Sequence, residues 1–271
     1  MNTTSSQADS SQVRIASGTQ STLKKVVVLG ATSGIALEVQ RQLVRLGCKL
    51  LLAARSEQRL EAVQSDLLAR GAKQVLTCAA DLAAIENHAG LFDFVRRSFP
   101  DYDTVLLAYG AMHDQKDSEA SIDVLLEELH VNYVSAAAIL TLFADDLERR
   151  RTGCIAAITS VAGDRGRRAN YVYGSAKGAL SLFLQGLRSR LHPAGVKVLT
   201  IKPGPVETPM TDHLDHLSSA AHFAEPKRVA RDIVRALERR SPDVVYTPKM
   251  WRYVMTAVEH IPETIFKRLS F

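Results

Sequence analysis

The sequence predicts a doubly wound α/β fold, an open parallel sheet with helices on both faces, and three observations carry that expectation. Short β-branched or leucine-rich runs alternate strictly with segments of helical spacing, in the order βαβαβαβαβαβ. A glycine turn, Gly30-Ala-Thr-Ser-Gly34-Ile35-Ala36, stands directly between the first run and the first helical segment. Two later runs close on Ser160 and on Pro203-Gly204-Pro205, at strand carboxyl ends, where open α/β sheets gather ligands.

Residues 1–23 are dominated by Ser, Thr and Gln without the apolar core of a secretory signal, and read as a disordered tail. KKVVVLG from Lys24 is the first strand, and Ile35, Val39, Leu43 and Leu46 then recur at helical spacing until Gly47. KLLLAAR, a helix over 56–70, and QVLTCAA follow, closing on Asp81-Leu82. A helix over 84–98 leads to DTVLLA, whose end passes through Ala108 into Tyr109-Gly110-Ala111. The helical stretch from Ile122 to Arg150 contains Asn132, whose amide competes for backbone groups. Such a residue marks a kink or a polar network, or sits satisfied in the core. Gly153–Thr159, a helix over 171–192 and VKVLTIKPG complete the alternation. The polar, Pro- and His-containing loop of about 205–224 reads as a mobile substrate-side loop or lid. A helix over 226–240 and the strand VVYTP close a single domain of residues 24–248. Residues 249–271 form an apolar and basic extension that Pro262 divides.

Composition narrows the function. With 46% apolar residues and no uninterrupted apolar run long enough to cross a bilayer, the chain suits one sizeable soluble domain. The net charge of +5 is spread over several helices without aromatic interleaving, which gives nucleic-acid binding no support. Cys48, Cys78 and Cys154 are odd in number and widely spaced, each beside or within a strand-like run. They fit reduced, buried thiols of a cytosolic protein, and neither a disulfide framework nor a zinc spacing. His213, His216 and His222 lack a Cys or HExxH partner, so a polar loop accounts for them and no metal is expected.

Two constellations carry chemistry. Gly30 and Gly34 let the backbone approach a pyrophosphate, the helix after them offers unpaired N–H groups, and Thr32 and Ser33 add hydroxyls. A plain strand-to-helix connection uses the same residues. Arg55 ends the second strand where a site for NAD(H) usually places an acid on the ribose 2′-hydroxyl. A guanidinium suits a 2′-phosphate, so NADP(H) is the preferred cofactor and NAD(H) the alternative; an exposed arginine opening a helix is the plainer account. Asp81 caps the next helix, accepts from an adenine amino group, or does both. The other constellation is Ser160 to Lys177, SVAGDRGRRANYVYGSAK. Four residues apart on a helix, Tyr173 and Lys177 share one face. An ammonium there favours the phenolate and draws the phenol from its ordinary pKa of about 10 toward general acid/base use. The same spacing also makes an ordinary surface pair.

Taken together, Gly30-xxx-Gly34-Ile35, Asp81-Leu82, Asn132, Ser160, Tyr173-xxx-Lys177 and Pro203-Gly204-x-Val206-x-Thr208-Pro-Met resemble the short-chain dehydrogenase/reductase family over roughly residues 24–246. Two positions depart from the pattern: Ala36 replaces a third glycine, and Tyr109 stands where an Asn commonly precedes Ala-Gly. The resemblance implies a Rossmann-like NAD(P)-dependent oxidoreductase that forms a homo-oligomer. Its cofactor would be lined by Gly30, Thr32, Ser33, Gly34, Ile35, Arg55, Asp81, Leu82, Ala108, Tyr109, Gly110, Tyr173, Lys177, Pro203, Gly204, Val206 and Thr208. It implies that Tyr173 donates a proton to a developing alkoxide and that Lys177 lowers the Tyr173 pKa and holds the nicotinamide ribose. Ser160 would bond the carbonyl, and Asn132 would position a water.

The segments RGRRANYVYGSAK and WRYVMTAVEHIPETIFKRLSF look like those of decaprenylphosphoryl-2-keto-pentose reductases, which serve arabinose-donor synthesis with a flavin oxidase partner. That narrower resemblance implies a C2 ketone on a polyprenylphosphoryl pentose, and a cytoplasmic protein peripheral to the inner membrane face. One or more of Arg165, Arg167 and Arg168 are expected on the substrate phosphate, against a plain solvated basic loop. The extension, with Trp251, Tyr253, Ile265, Phe266, Lys267 and Arg268, is expected to lie in a membrane interface or to pack on protein. A soluble ketone, steroid or 3-oxoacyl substrate keeps the same catalytic residues. A non-catalytic dinucleotide sensor or scaffold is the alternative of another class.

Overall fold

A computed structural model describes residues 23–211 and 223–269. Seven strands form one sheet: β1 (Lys25–Leu29), β2 (Lys49–Ala54), β3 (Val75–Ala79), β4 (Thr104–Leu107), β5 (Cys154–Ile158), β6 (Lys197–Pro203) and β7 (Val244–Thr247). Their order is β3-β2-β1-β4-β5-β6-β7, and every pairing is parallel. The expected Rossmann-like architecture is therefore present, with the switch in strand order between β1 and β4.

The strands are apolar almost throughout because both faces are covered. Val26, Val28, Leu50 and Leu52 face the layer of α1 (Gly34–Arg45), α2 (Glu57–Ala69) and α8 (Pro226–Arg239). Val27, Leu29, Leu51 and Ala53 face α3 (Glu86–Ser98), α6 (Ser135–Arg150) and α7 (Tyr171–Leu191). In that second layer Phe143 meets the edges of Phe92 and Tyr102 with ring centroids 5.2 and 5.6 Å apart. Serines start three of the helices: the Ser33 hydroxyl accepts from Ala36 N, that of Ser56 from Arg59 N and that of Ser121 from Val124 N.

The long helix expected over 122–150 is divided. α5 (Ile122–Leu129) passes through a π-helical segment, His130–Val134, into α6, and Asn132 sits in that wide turn. A short helix that the periodicity did not announce, α4 (Gln115–Ala120), precedes it. Its sequence QKDSEA has no apolar stripe, and Asp114 starts it by accepting from Lys116 N at 2.9 Å. Beyond β7 the extension forms α9 (Met250–Glu259) and α10 (Glu263–Phe266), and Pro262 caps the second, as a residue without N–H permits. Cys48 and Cys154 are buried, as expected, whereas Cys78 is half-buried because β3 is an edge strand. The tail over 1–22, the three loop histidines and the middle of the 205–224 loop lie outside the described residues.

Candidate active site

The carboxyl ends of β1, β4, β5 and β6 meet around one hollow. At the first, Gly30 has φ 85°, and its N and that of Ala31 donate to Ala53 O at 2.8 and 3.1 Å. A Cβ on Gly30 would lie 2.6 Å from Tyr109 Cβ, so only glycine lets the turn close there. A Cβ on Gly34 would lie 2.9 Å from Thr208 Cγ2, which brings the loop after β6 onto the start of α1. Ala36, in the departing third position, is wholly buried and still allows this packing. Ile35 packs on the first core layer, Ala108 N donates to Leu29 O at 2.8 Å, and buried Val206 bridges to Ala224.

This cradle fits a dinucleotide. The glycine turn leads straight into the N-terminus of α1, whose first backbone N–H groups have no partner within the helix and suit a phosphate. Arg55 is exposed at the end of β2, and Arg59, which sequence reading did not single out, donates from Nη2 to Thr32 O at 3.0 Å. Arg55 lies just before the Ser56 cap of α2 and Arg59 in its first turn, a four-residue spacing visible in the sequence. Asp81 accepts from Ala83 N at 3.1 Å and holds the turn after β3. It does not cap α3, whose N-cap is Ile85, because Leu82, Ala83 and Ala84 intervene before the helix begins. The Leu82 carbonyl accepts from Ser135 Oγ and, at 2.8 Å, from His88 Nε2. Ser135 also bonds the Tyr109 hydroxyl at 2.7 Å, so that tyrosine ties the end of β4 to α6.

Across the hollow, α7 lies directly against the turn that follows β5. A Cβ on Gly163 would meet Gly178 N at 2.5 Å, and one on Gly174 would meet Ala162 O at 2.7 Å. These glycines, missed in the sequence although Gly174 and Gly178 share a helix face, bring Ser160 within hydrogen-bonding reach of Tyr173. Ser160 Oγ also accepts from Ala162 N at 3.0 Å. Lys177 is 3% exposed, its Nζ 5.7 Å from the Tyr173 ring centroid and 3.5 Å from Ile158 O. Asn132 is fully buried; its Nδ2 donates to Ala111 O at 2.7 Å and Glu128 O at 2.9 Å, and its Oδ1 accepts from Ala111 N at 3.2 Å. A Cβ on Gly110 would stand 2.5 Å from Asn132 Oδ1 and 3.0 Å from Lys177 Nζ. The helix irregularity and the polar network expected of Asn132 are thus both present.

One expectation is corrected by the electrostatics. Burial pushes the Tyr173 phenol up to about 12, with the Ser160 hydrogen bond lowering it and the charge of Glu128 raising it. Burial also pulls the Lys177 ammonium down to about 8, against the opposing charge of Glu128. The phenolate is therefore not favoured in the chain alone. Desolvation is the largest cause, and the ammonium, 5.7 Å from the ring centroid, does not offset it.

The arginine loop separates into three different fates. Asp164 anchors it by accepting from Lys202 Nζ and, at 2.9 Å, from Tyr246 OH. Arg165 donates to Glu259 O and Glu263 Oε2, both at 2.8 Å, and its guanidinium lies 4.2 Å from the Phe266 ring centroid. It straps the extension to the loop. Arg167 has a buried Nε without a hydrogen-bond partner, and burial lowers its pKa. Arg168 is exposed and lines a cavity of about 250 Å³ with Glu263, Phe266, Lys267 and Arg268. Trp251 packs so closely on the Pro203-Gly204 turn that a Cβ on Gly204 would lie 2.0 Å from its Nε1. Met255 and Phe266 are buried beneath the extension, whereas Met250, Tyr253 and Ile265 remain exposed. Among the described residues no group of three or more His, Cys, Asp or Glu could hold a metal ion, and no helix is long and apolar enough to cross a membrane.

Comparison with known proteins agrees with this arrangement. The family model described as short chain dehydrogenase matches residues 24–217. An uncharacterized oxidoreductase of Streptomyces coelicolor is 35% identical over 247 residues, 91% of this chain and 96% of that protein. Another, of Mycobacterium tuberculosis, is 34% identical over 244 residues, covering 90% and 96%. Among solved structures, a short chain dehydrogenase from Burkholderia cenocepacia in complex with NADP superposes with a TM-score of 0.77 at 20% identity, over 91% of this chain and 97% of that one. An alcohol dehydrogenase from Thermococcus sibiricus complexed with 5-hydroxy-NADP superposes with a TM-score of 0.72 at 25% identity, over 83% and 94%.

The contact of Gly204 with Trp251 gives a direct test of how the extension sits. Gly204→Ala should expel the single tryptophan from its site, shift its emission to the red and cost about 1–3 kcal/mol of stability, as overpacking does. Fluorescence and denaturant unfolding of the variant check both.

Proposed function

The chain belongs to the short-chain dehydrogenase family and is an NAD(P)-dependent oxidoreductase, and from that premise we propose that it uses NADP(H) to reduce a ketone with Tyr173 as the acid. The observation that carries this reading is the convergence of Ser160, Tyr173, Lys177 and Asn132 on the hollow that also receives the glycine turn. Gly30, Thr32, Ser33, Gly34 and Ile35 would hold the pyrophosphate, Asp81 and Leu82 the adenine side, and Ala108, Tyr109, Gly110, Pro203, Gly204, Val206 and Thr208 the nicotinamide side. Arg55 and Arg59 would take the 2′-phosphate, a preference that the 5-hydroxy-NADP complex of the Thermococcus sibiricus enzyme supports. When bound, the nicotinamide supplies the hydride.

The chain's own groups manage the oxygen. Ser160 and Tyr173 offer two hydroxyls to one carbonyl. The raised phenol stays protonated through neutral pH, so it can give its proton to the oxygen as an alkoxide forms there. Lys177, still protonated at neutral pH, lies beside the ring and would stabilise the phenolate left behind and hold the nicotinamide ribose. Asn132 fixes Ala111 through both amide groups and would orient the water that restores the proton.

For the substrate we favour the C2 ketone of a polyprenylphosphoryl pentose, made by a flavin oxidase partner. The support is the cavity of Arg168, Lys267 and Arg268, whose carboxylate Glu263 is already paired to Arg165 and whose floor is apolar Phe266. Arg165 is withdrawn from the phosphate set by its strap. Exposed Met250, Tyr253 and Ile265 beside Arg252 and Lys267 suit peripheral contact with the inner membrane face, and exposed Ile122, Leu126 and Leu182 suit a second copy of the chain.

Tyr173→Phe should lower kcat by about 10²- to 10⁴-fold while leaving the Kd for NADPH nearly unchanged, measured by steady-state turnover and nucleotide titration. Near-normal turnover would overturn the assignment. Replacing Arg55 and Arg59 by Ala should weaken NADPH by about tenfold or more and NADH little, since each charged hydrogen bond is worth roughly 1.5–3 kcal/mol. In Arg168→Ala with Lys267→Ala, the KM for a polyprenylphosphoryl keto sugar should rise about tenfold with kcat retained, and an unchanged KM sinks the phosphate reading.

A further inference from the structure

Glu128 takes no part in the chemistry assigned above, yet it is 1% exposed and one helical turn before Asn132. Its Oε1 accepts from His113 N at 3.2 Å and its Oε2 from Ser118 Oγ at 3.0 Å, two neutral donors for a buried carboxylate. Lys177 is the complementary case, a buried ammonium whose hydrogen bond to Ile158 O is long. Charges so deeply buried are stable only when another charge compensates them.

One short segment touches both groups. Gly110 lies against Lys177 Nζ and Asn132 Oδ1, Ala111 is held on both backbone groups by Asn132, and His113 N is held by Glu128. Residues 110–113 thus run between the two charged groups. The groups that face Glu128 are His113 from this segment, Ser118 from α4, Glu127 from its own helix, and Tyr173 and Lys177 from α7. His113 Nε2 in turn lies 3.7 Å from Glu127 Oε2. We propose that Glu128 is a positioning residue of the active site, the through-space counter-charge that keeps Lys177 protonated and Tyr173 in its proton-donating form. Burial pushes the Glu128 carboxyl up, against the hydrogen bonds from His113 N and Ser118 Oγ that favour its charged form, and its charge acts on Lys177 and Tyr173 second to their own burial. The proposal rests on the Tyr173–Lys177 reading.

Glu128→Gln tests it, because the amide oxygen can still accept from His113 N and the amide nitrogen can donate to Ser118 Oγ while the charge is gone. The variant should melt with the wild type. By lysine-nitrogen NMR of the cofactor-free chain, the Lys177 titration midpoint should fall by about one pH unit, the scale of one buried charge. The alkaline limb of kcat for ketone reduction should move down with it. Glu128→Asp, which keeps the charge, should leave both close to wild type. It also carries the test if Glu128→Gln fails to fold, since a midpoint displaced in Glu128→Asp overturns the proposal. Superimposable titrations of Glu128→Gln and wild type overturn it as well, and if Tyr173→Phe is inactive they leave the family chemistry standing. Normal turnover in Tyr173→Phe overturns that chemistry instead, while the lysine titration still decides the role of Glu128.

Discussion

Where β1 and β4 part, the backbone of Gly30 lies so close to Tyr109 that a methyl group would stand 2.6 Å from the tyrosine Cβ. The rest of the site depends on this approach. It turns the chain from β1 into α1 with the helix N-terminus facing the hollow, and it sets the end of β4 beside Lys177 and Asn132. The same device recurs on the far side, where Gly163 and Gly178 seat α7 on the β5 turn, and at the rim, where Gly204 seats the tryptophan. Close backbone approach fixes relative positions more firmly than side-chain contacts do, since no rotamer can relieve it.

Burial governs ionisation at this site. Burial shifts Tyr173 and Lys177 in opposite directions, each toward its neutral form, and the carboxylate of Glu128 opposes the neutralisation of the lysine. The free chain therefore holds the Tyr173 phenol protonated. The extension adds a second level of order. Trp251 lies on the turn after β6 and Arg165 grips α10, so the C-terminal residues become part of the wall beside the arginine loop.

Much of this was legible in the chain itself. Buried parallel strands read as apolar runs such as VVVL and KLLLAA, and the helices between them as a 3.6-residue period, so element order and sheet class followed directly. The four-residue spacing of Tyr173 and Lys177 placed them on one face, and Pro262 did divide the extension. Asn132 announced an irregular turn, although its π-helical form was not foreseen, because a wide turn depends on bonds to Ala111 twenty-one residues away.

Other features had no local signal. Nothing local in IDVLLEEL marks Glu128 for burial, and packing of α4 and the 110–113 segment encloses it. Arg165, Arg167 and Arg168 read as one basic loop, yet one straps α10, one is partly buried and one lines a cavity. The direction of the Tyr173 shift was expected from its neighbour's charge and set instead by desolvation. The sequence determined the elements, their order and which side chains share a helix face, since backbone geometry repeats over a few residues. Tertiary structure alone decided which charges are buried and against what, because dielectric surroundings are built by segments far apart in the chain.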